Sequence, residues 1–247
     1  MSTLSPPQTE INSVIALYSN GQVQEALDAV ETLIKSYPNE PLLYNISGIC
    51  YKTIGKLNEA VKSFEKALTI KPDYAEVHYN LGVTLQELDQ LEAAVKSYEK
   101  AITIKPDYAD AYINLGITLK NLGQLDAAVK SYEKAIAINP DYAEAHNNLG
   151  NTLDDLGQLD AAVKSYENAL AIKPDFAEAH NNLGNTLMNL DQLNEAVKCF
   201  KQALAIKPDY AEAHNNLGNT LMNLDQLEAS IKSFEKALAI NPRYAEA

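Results

Sequence analysis

The sequence predicts an all-α solenoid built from antiparallel helix pairs. One observation behind this prediction is a 34-residue period, in which residues 177–193 recur unchanged as residues 211–227 and looser copies come before them. The other is the spacing of apolar residues in each copy, which is mostly helical on both sides of a central break. Each copy should therefore hold two helices, and about seven copies should stack along the chain.

The period divides the chain into repeats, whose positions we number 1 to 34 from the first residue of each. We expect a flexible N-terminus at 1–6, a degenerate capping repeat at 7–40 and the start of a truncated further repeat at 245–247. The six regular repeats between them are 41–74, 75–108, 109–142, 143–176, 177–210 and 211–244. Stacked repeats bury their apolar faces against neighbours, so one elongated helical domain is expected.

Small residues recur where the two helices of a repeat should cross. Position 8 is glycine in all six regular repeats, position 20 is alanine in five of them, and position 24 is phenylalanine or tyrosine. Small side chains allow two helices to approach closely, while the aromatic ring fills the adjacent gap. The central break carries glycine or aspartate, as at Gly157 and Asp191, and both tolerate the left-handed backbone of a tight turn. The two helices of a repeat should therefore run antiparallel.

Proline at position 32 of every repeat predicts the end of the second helix, because proline lacks an amide hydrogen and disfavours helical backbone in the preceding residue. An aspartate, a tyrosine, an alanine and a glutamate follow Pro72. We expect Asp73 to cap the next helix and Glu76, three residues later, to complete a capping box.

The repeat length together with the small, aromatic, small and proline positions resembles the tetratricopeptide repeat family over essentially the whole chain. The resemblance implies a right-handed superhelix whose concave groove is lined by the first helix of each repeat. It further implies that positions 2, 5, 6, 9, 12 and 13 face that groove and that the protein is a protein-binding scaffold.

Composition narrows the classes of partner. The chain has 20 lysines and arginines against 33 aspartates and glutamates, a formal charge of −13, which repels nucleic-acid phosphates and favours neutral or basic partners. No apolar stretch approaches membrane-spanning length and no secretory signal is visible, so we expect no membrane partner and a cytoplasmic location. Cys50 and Cys199 occupy different repeat positions without metal-ligand spacing and are interpreted as packing residues.

No pattern in the sequence indicates catalysis. A Ser, His and Asp set, a glycine-rich phosphate loop and an HExxH motif are all missing from it, so we expect neither an enzyme nor a cofactor. Histidine recurs at position 4, but equal positions in successive repeats are displaced by roughly 10 Å per helix layer, too far for one metal ion. A packing role is favoured, since tyrosine takes this position in other repeats. The histidines are His78, His146, His180 and His214.

Asparagine is the polar residue whose repetition favours a ligand. At position 6 it is a mediocre helix former without a capping role, and its amide can bind both the N–H and the C=O of an extended peptide. The candidate peptide-binding residues are Asn80, Asn114, Asn148, Asn182 and Asn216 at position 6, Asn147, Asn181 and Asn215 at position 5, and Asn151, Asn185 and Asn219 at position 9. The position-6 row is similar to the asparagine ladder in the repeat region of the O-linked N-acetylglucosamine transferases, which implies a peptide held along the groove.

Several alternatives stay open at this point. The amides could instead bond to neighbouring helices or water, and the chain could be the targeting arm of a larger enzyme such as a glycosyltransferase. The lysine and arginine clamp that other members of the family use on chaperone C-termini is absent, since positions 2, 5 and 6 hold acids, asparagines or apolar residues. An apolar C-terminal face without a polar cap also allows end-to-end self-association.

Overall fold

The computed structural model describes residues 6–243, and every regular element in that range is a helix. The helices follow the 34-residue period, two to a repeat, which confirms the predicted fold class. Each regular repeat places its first helix at positions 1 to 13 and its second at positions 17 to 30. The described helices are α1 Gln8–Ser19, α2 Val23–Ser36, α3 Pro41–Thr53, α4 Leu57–Ile70, α5 Ala75–Glu87, α6 Leu91–Ile104, α7 Ala109–Asn121, α8 Leu125–Ile138, α9 Ala143–Asp155, α10 Leu159–Ile172, α11 Ala177–Asn189, α12 Leu193–Ile206, α13 Ala211–Asn223 and α14 Leu227–Ile240.

The chain divides into two compact units, which we call the N-terminal unit (Met1–Gln124) and the C-terminal unit (Leu125–Ala247). In the C-terminal unit α9 packs on α10, α11 on α12 and α13 on α14, and each pair also contacts the next. None of the described helices is long and apolar enough to span a bilayer. Of the predicted flexible N-terminus only Pro6 is described, and it is buried; the predicted further repeat at 245–247 lies outside the described residues.

A glycine on the first helix of a pair lies directly under an aromatic ring of the second. A Cβ atom added at Gly150 would stand 2.6 Å from the ring of Tyr166, and one added at Gly184 would stand 2.6 Å from the ring of Phe200. Closely packed interiors leave no room for such a contact. The prediction of a small residue at the crossing is confirmed, with the refinement that the ring of the same repeat covers the glycine.

The turns between paired helices also match the prediction. Gly157 has φ of 73° and Asp191 has φ of 59°, both in the left-handed region. Glycine adopts this region freely and aspartate tolerates it better than most residues. The break residue therefore reverses the chain within each repeat.

The predicted capping box is wrong. Helix α5 begins at Ala75, and its N-cap residue is Tyr74, which makes no side-chain cap hydrogen bond. Asp73 therefore lies one residue before the cap. The ring of Tyr74 instead packs under Lys71, whose Nζ lies 4.6 Å from the ring centroid. In the first turn of α9 the carboxylate of Glu144 accepts a hydrogen bond from its own backbone N–H, which lowers its pKa.

Helix α14 exposes large apolar side chains on its surface. Leu227 is 56% exposed and Ile231 is 57% exposed. In α12, which contacts the following helix α13, the residue that corresponds to Ile231 is Val197, and it is only 9% exposed. The face that α14 presents is therefore of the kind that a neighbouring helix covers elsewhere in the C-terminal unit.

Candidate functional site

The position-6 asparagines reach back to the preceding repeat. In the N-terminal unit Nδ2 of Asn80 donates to Oδ1 of Asn45 at 3.0 Å. In the C-terminal unit Nδ2 of Asn182 donates to Oδ1 of Asn147, and Nδ2 of Asn216 donates to Oδ1 of Asn181, both at 3.2 Å. Each acceptor stands at position 5 of the preceding repeat. We call this contact between position 6 and position 5 a rung.

The rung can also be built with a different acceptor. Nδ2 of Asn114 donates to the hydroxyl oxygen of Tyr79, again at position 5 of the preceding repeat, at 3.0 Å. The residue 35 places before Asn148 is Ile113, whose side chain has no acceptor. Where position 5 of the preceding repeat carries a polar side chain, the position-6 asparagine bonds to it. The rung is thus a structural contact between neighbouring first helices.

The rungs use only part of each position-6 amide. Asn182 and Asn216 are half-buried, and no described hydrogen bond reaches their Oδ1 atoms. Among the described residues, the one fully buried side-chain nitrogen or oxygen without a partner is Nδ1 of His214. The Oδ1 atoms of Asn182 and Asn216 are therefore open to solvent and could accept a hydrogen bond from a ligand.

The position-5 asparagines need a correction. Asn147 is 2% exposed and Asn181 is fully buried, so neither can touch a ligand in a groove. The amide of Asn181 is engaged on both sides, because Oδ1 accepts from Asn216 and Nδ2 donates to Oε1 of Glu212 at 3.1 Å. These two residues belong to the junctions between repeats. Asn215 is half-buried and stays a candidate.

The position-9 asparagines of the C-terminal unit are all half-buried, yet they differ in their contacts. Oδ1 of Asn151 accepts from the hydroxyl of Tyr166 at 2.7 Å and from Nδ2 of Asn182 at 2.9 Å. No described hydrogen bond engages the side chains of Asn185 and Asn219. Because neither amide has a buried unpartnered atom, both are open to solvent.

A threonine at position 10 makes a second polar contact between repeats that sequence reasoning missed. Oγ1 of Thr186 donates to Oδ1 of Asp154 at 2.6 Å, and Oγ1 of Thr118 donates to Oε1 of Gln86 at 3.0 Å. Both acceptors stand at position 12 of the preceding repeat. The recurrence of threonine at position 10 of five repeats was the available sequence signal. This contact joins the carboxylate of Asp154 on α9 to α11, the helix that carries Asn182 and Asn185.

Buried tyrosine hydroxyls at position 24 supply further donors. Burial raises the pKa of Tyr98 and of Tyr166 above the ordinary value, so both hydroxyls stay protonated at neutral pH. The hydroxyl of Tyr98 donates to Oε1 of Gln86 at 3.0 Å, as that of Tyr166 does to Asn151. The amide oxygen that a position-24 tyrosine reaches is thereby occupied within the protein.

The histidines fasten the turns between repeats. Nε2 of His78 lies 2.9 Å from the carbonyl oxygen of Pro72, and Nε2 of His214 lies 3.0 Å from that of Pro208. His146 and His180 make the same contact with the proline six residues before them. No group of three or more His, Cys, Asp or Glu side chains able to hold a metal ion occurs within residues 6–243.

Acidic side chains border the open amides. Glu178 and Glu212 are exposed at position 2 of α11 and α13. Asp154 lies at position 12 of α9. Glu144 is paired with Lys173, whose Nζ lies 3.2 Å from its Oε1. Exposed carboxylates attract basic groups and repel acidic ones, so the first helices of the C-terminal unit present amides beside negative charge.

Two family models match the chain and together cover more than half of it. The first is described as TPR repeat and the second as tetratricopeptide repeat. The first matches residues 48–89, 87–123, 119–157, 150–191 and 185–225, and the second matches residues 211–244. No curated protein sequence matches the chain.

Solved structures share the architecture. A MamA protein is 30% identical, with a TM-score of 0.65 over 71% of this chain and 96% of that one. YrrB, described as a TPR protein with an unusual peptide-binding site, is 24% identical, with a TM-score of 0.65 over 76% of this chain and 96% of that one. PilF of Pseudomonas aeruginosa is 18% identical, with a TM-score of 0.71 over 82% and 92%. The last two likenesses bear on the fold alone.

Proposed function

The chain belongs to the tetratricopeptide repeat family, and from that premise we propose that it is a non-catalytic module that binds an extended peptide segment of a partner protein. The peptide lies along the first helices of the C-terminal unit, α9, α11 and α13. Its backbone is held by the open amides at positions 6 and 9 of these helices.

The observation that carries this proposal is the set of amide atoms left open after the rungs have formed. Asn182 and Asn216 keep their Oδ1 atoms, and Asn185 and Asn219 keep whole amides. Positions 6 and 9 are three residues apart on a helix, so their side chains lie on the same side of it. An amide both donates and accepts, which matches the alternating N–H and C=O groups of an extended backbone.

Charge selects among peptides. The chain has a formal charge of −13, and Glu178, Glu212 and Asp154 lie on the helices that carry the open amides. The favoured segment is therefore neutral or basic, since an acidic one would be repelled. YrrB, a relative in fold, is described as having a peptide-binding site, and this supports the same class of ligand for our chain.

Three capped peptides of ~12 residues, which span roughly 40 Å when extended, test the proposal directly. One alternates serine with threonine, one lysine with threonine and one glutamate with threonine. We expect side-chain amide NMR signals of the C-terminal unit to shift with the first two peptides and less with the third. Equal shifts with all three peptides would remove the charge preference.

The triple variant N148A/N182A/N216A tests the amides themselves. Each lost amide contact should weaken peptide binding by a few-fold, for a combined loss of about tenfold or more. A matched control removes three exposed lysines at position 22 of the second helices, K164A/K198A/K232A, and should bind as the wild type does. Unchanged affinity in the asparagine variant, with an intact circular dichroism spectrum, contradicts the proposal.

Two finer expectations from the sequence stay predictions. Cys50 and Cys199 are free thiols, which suits the reducing cytoplasm, and cell fractionation checks that location.

The likeness to the repeat region of the O-linked N-acetylglucosamine transferases favours a role as the targeting arm of a glycosyltransferase. Co-purification of such an activity with the protein from its source would support that role, and its absence from the purified complex would contradict it.

A second candidate is self-association through the outer face of α14. Leu227 and Ile231 are more than half exposed there, on a face whose equivalent in α12 is covered by the next helix. A second copy offers the same apolar stripe, so two α14 helices can cover each other in an isologous contact. Sedimentation velocity should show a dimer at high concentration that I231E abolishes. A wild-type monomer at every concentration eliminates this candidate.

A further inference from the structure

The three repeats that begin at residues 143, 177 and 211 are nearly identical, yet they differ at position 24. The first carries Tyr166, while the other two carry Phe200 and Phe234. Each ring stands 15 residues after a position-9 asparagine of its own repeat, which is Asn151, Asn185 and Asn219 respectively. The only chemical difference between the rings is the tyrosine hydroxyl.

The two ring types occupy the same place in their repeats. A Cβ atom on Gly150 would lie 2.6 Å from Cε1 of Tyr166, and one on Gly184 would lie 2.6 Å from Cε1 of Phe200. Both rings are buried, with 2% and 0% of their surfaces exposed. A hydroxyl added to Phe200 would therefore lie as close to Asn185 as the hydroxyl of Tyr166 lies to Asn151.

That hydroxyl takes an acceptor site on the neighbouring amide oxygen. Oδ1 of Asn151 accepts from the hydroxyl of Tyr166 at 2.7 Å and from Nδ2 of Asn182 at 2.9 Å. A carbonyl oxygen has two lone pairs, so both acceptor sites of Asn151 are filled. In the repeats of Asn185 and Asn219 position 24 is phenylalanine, which has no hydroxyl, and neither amide has a described hydrogen bond. Since neither amide holds a buried unpartnered atom, water and ligands can reach both.

We propose that position 24 is a specificity-determining position, with phenylalanine leaving the oxygen of the adjacent position-9 amide open to a peptide and tyrosine occupying one of its acceptor sites. The strongest peptide contacts therefore lie at Asn185 and Asn219, in repeats 177–210 and 211–244, and not at Asn151. This inference rests on the proposed peptide-binding function. It adds which repeats make the strongest contacts with the peptide. The cause that it names is the ring at position 24, which is buried at Tyr166 and Phe200 and half-buried at Phe234.

The test exchanges the two rings. F200Y should place a hydroxyl within hydrogen-bond distance of Oδ1 of Asn185, shift the side-chain NH₂ signal of Asn185 without any peptide, and weaken binding of the serine–threonine peptide by a few-fold. Y166F should free one of the two acceptor sites on Oδ1 of Asn151, which still accepts from Asn182, shift the NH₂ signal of Asn151, and strengthen binding of the same peptide. The two variants change binding in opposite directions, which a general loss of stability cannot do.

The N-terminal unit supplies a matched control. Phe64 is fully buried at position 24 of its repeat, but position 9 there is Ile49, which has no amide. F64Y adds the same hydroxyl at the same kind of site and should leave binding of the serine–threonine peptide unchanged. N185A removes the amide without adding a buried hydroxyl, so it covers the case in which F200Y does not fold. N185A should weaken binding, and N151A should weaken it less.

The outcomes separate the two levels of the proposal. If none of the three peptides binds the wild type, the proposed function fails and this inference fails with it. If peptides bind but F200Y and N185A both leave the affinity unchanged, the peptide lies elsewhere and the assignment to Asn185 is overturned. If the NH₂ signal of Asn185 does not move in F200Y, the ring does not control the amide.

Discussion

The two compact units make the same contact between repeats and differ in what surrounds it. In the N-terminal unit the rungs run from Asn80 to Asn45 and from Asn114 to Tyr79. Tyr79 there belongs to an aromatic group, with its ring centroid 5.0 Å from that of Tyr108. In the C-terminal unit the rungs join asparagine to asparagine, and asparagine also fills position 9, where the N-terminal unit has aliphatic residues.

This difference distinguishes the residues that hold neighbouring repeats together from the residues that we propose to bind a peptide. The rung occurs in both units, with an amide or a phenol as the acceptor, so it is a device for aligning neighbouring first helices. The open amides at position 9 occur only in the C-terminal unit among the described repeats. A row of identical residues can thus contain two kinds of position, one engaged within the protein and one left for a ligand.

The largest expected effect comes from the contact that the two units share. G150L should force the ring of Tyr166 from its place and cost about 3 kcal/mol or more of unfolding free energy, because the core there is closely packed. G82L should do the same to Tyr98 in the N-terminal unit. Urea midpoints followed by circular dichroism measure both. Tolerance of leucine in only one unit would mean that the units are not built alike.

An effect of intermediate size is expected when the loss of a rung is compared with the loss of an open amide. N181A removes a fully buried amide that accepts from Asn216 and donates to Glu212, and should cost roughly 1–3 kcal/mol of stability. N185A removes an open amide and should change stability by less than about 0.5 kcal/mol. The same urea experiment compares the two variants, which stand four residues apart on α11. Equal losses of unfolding free energy in N181A and N185A would contradict the claim that Asn181 is structural and Asn185 is open.

A smaller effect should appear at alkaline pH. Burial raises the pKa of Tyr98, Tyr132 and Tyr166 in the folded protein above the value of about 10 for an unfolded chain. The unfolded state therefore loses these protons first, so their contribution to stability is complete below about pH 10 and is lost as pH rises further. Thermal melts between pH 8 and 11 are the measurement. Y166F should flatten the pH dependence, and a dependence equal to that of the wild type would contradict this assignment.

The smallest effect concerns the ion pair between Lys173 and Glu144. Their side chains are 45% and 51% exposed, so solvent screens the attraction, and K173A should cost no more than about 0.5 kcal/mol. Added salt should reduce even that difference between variant and wild type. A loss above 1 kcal/mol in thermal melts would mean that the contact of the Lys173 ammonium group with the ring of Phe176 dominates.

The fold was largely predictable from the sequence because its determinants are local. Helical spacing, the glycine at position 8, the residue at the break and the proline at position 32 each act within one repeat or its immediate neighbour. The prediction of a capping box was wrong, although it also rested on local sequence. Asp73 and Glu76 have the right spacing, but the helix begins one residue later than that pattern requires, with Tyr74 at the cap.

The candidate site was less predictable because its contacts join different repeats. Residue type and position identified the asparagines, but the rung depends on the distance between position 6 of one helix and position 5 of the helix before it. Nothing in the pattern separates the buried Asn181 from the open Asn185, since both are asparagines on the first helix of one repeat. The role of the tyrosine hydroxyl at Asn151 likewise follows only from packing between the paired helices.

Isotope-filtered NOE spectroscopy on the complex with the serine–threonine peptide tests the central claim most directly. The peptide's backbone amide protons should give cross-peaks to the side-chain NH₂ groups of Asn185 and Asn219, with weaker ones or none to Asn151. Cross-peaks confined to the second helices, for example to Lys198 of α12 or Lys232 of α14, would contradict the claim that the open amides hold the peptide.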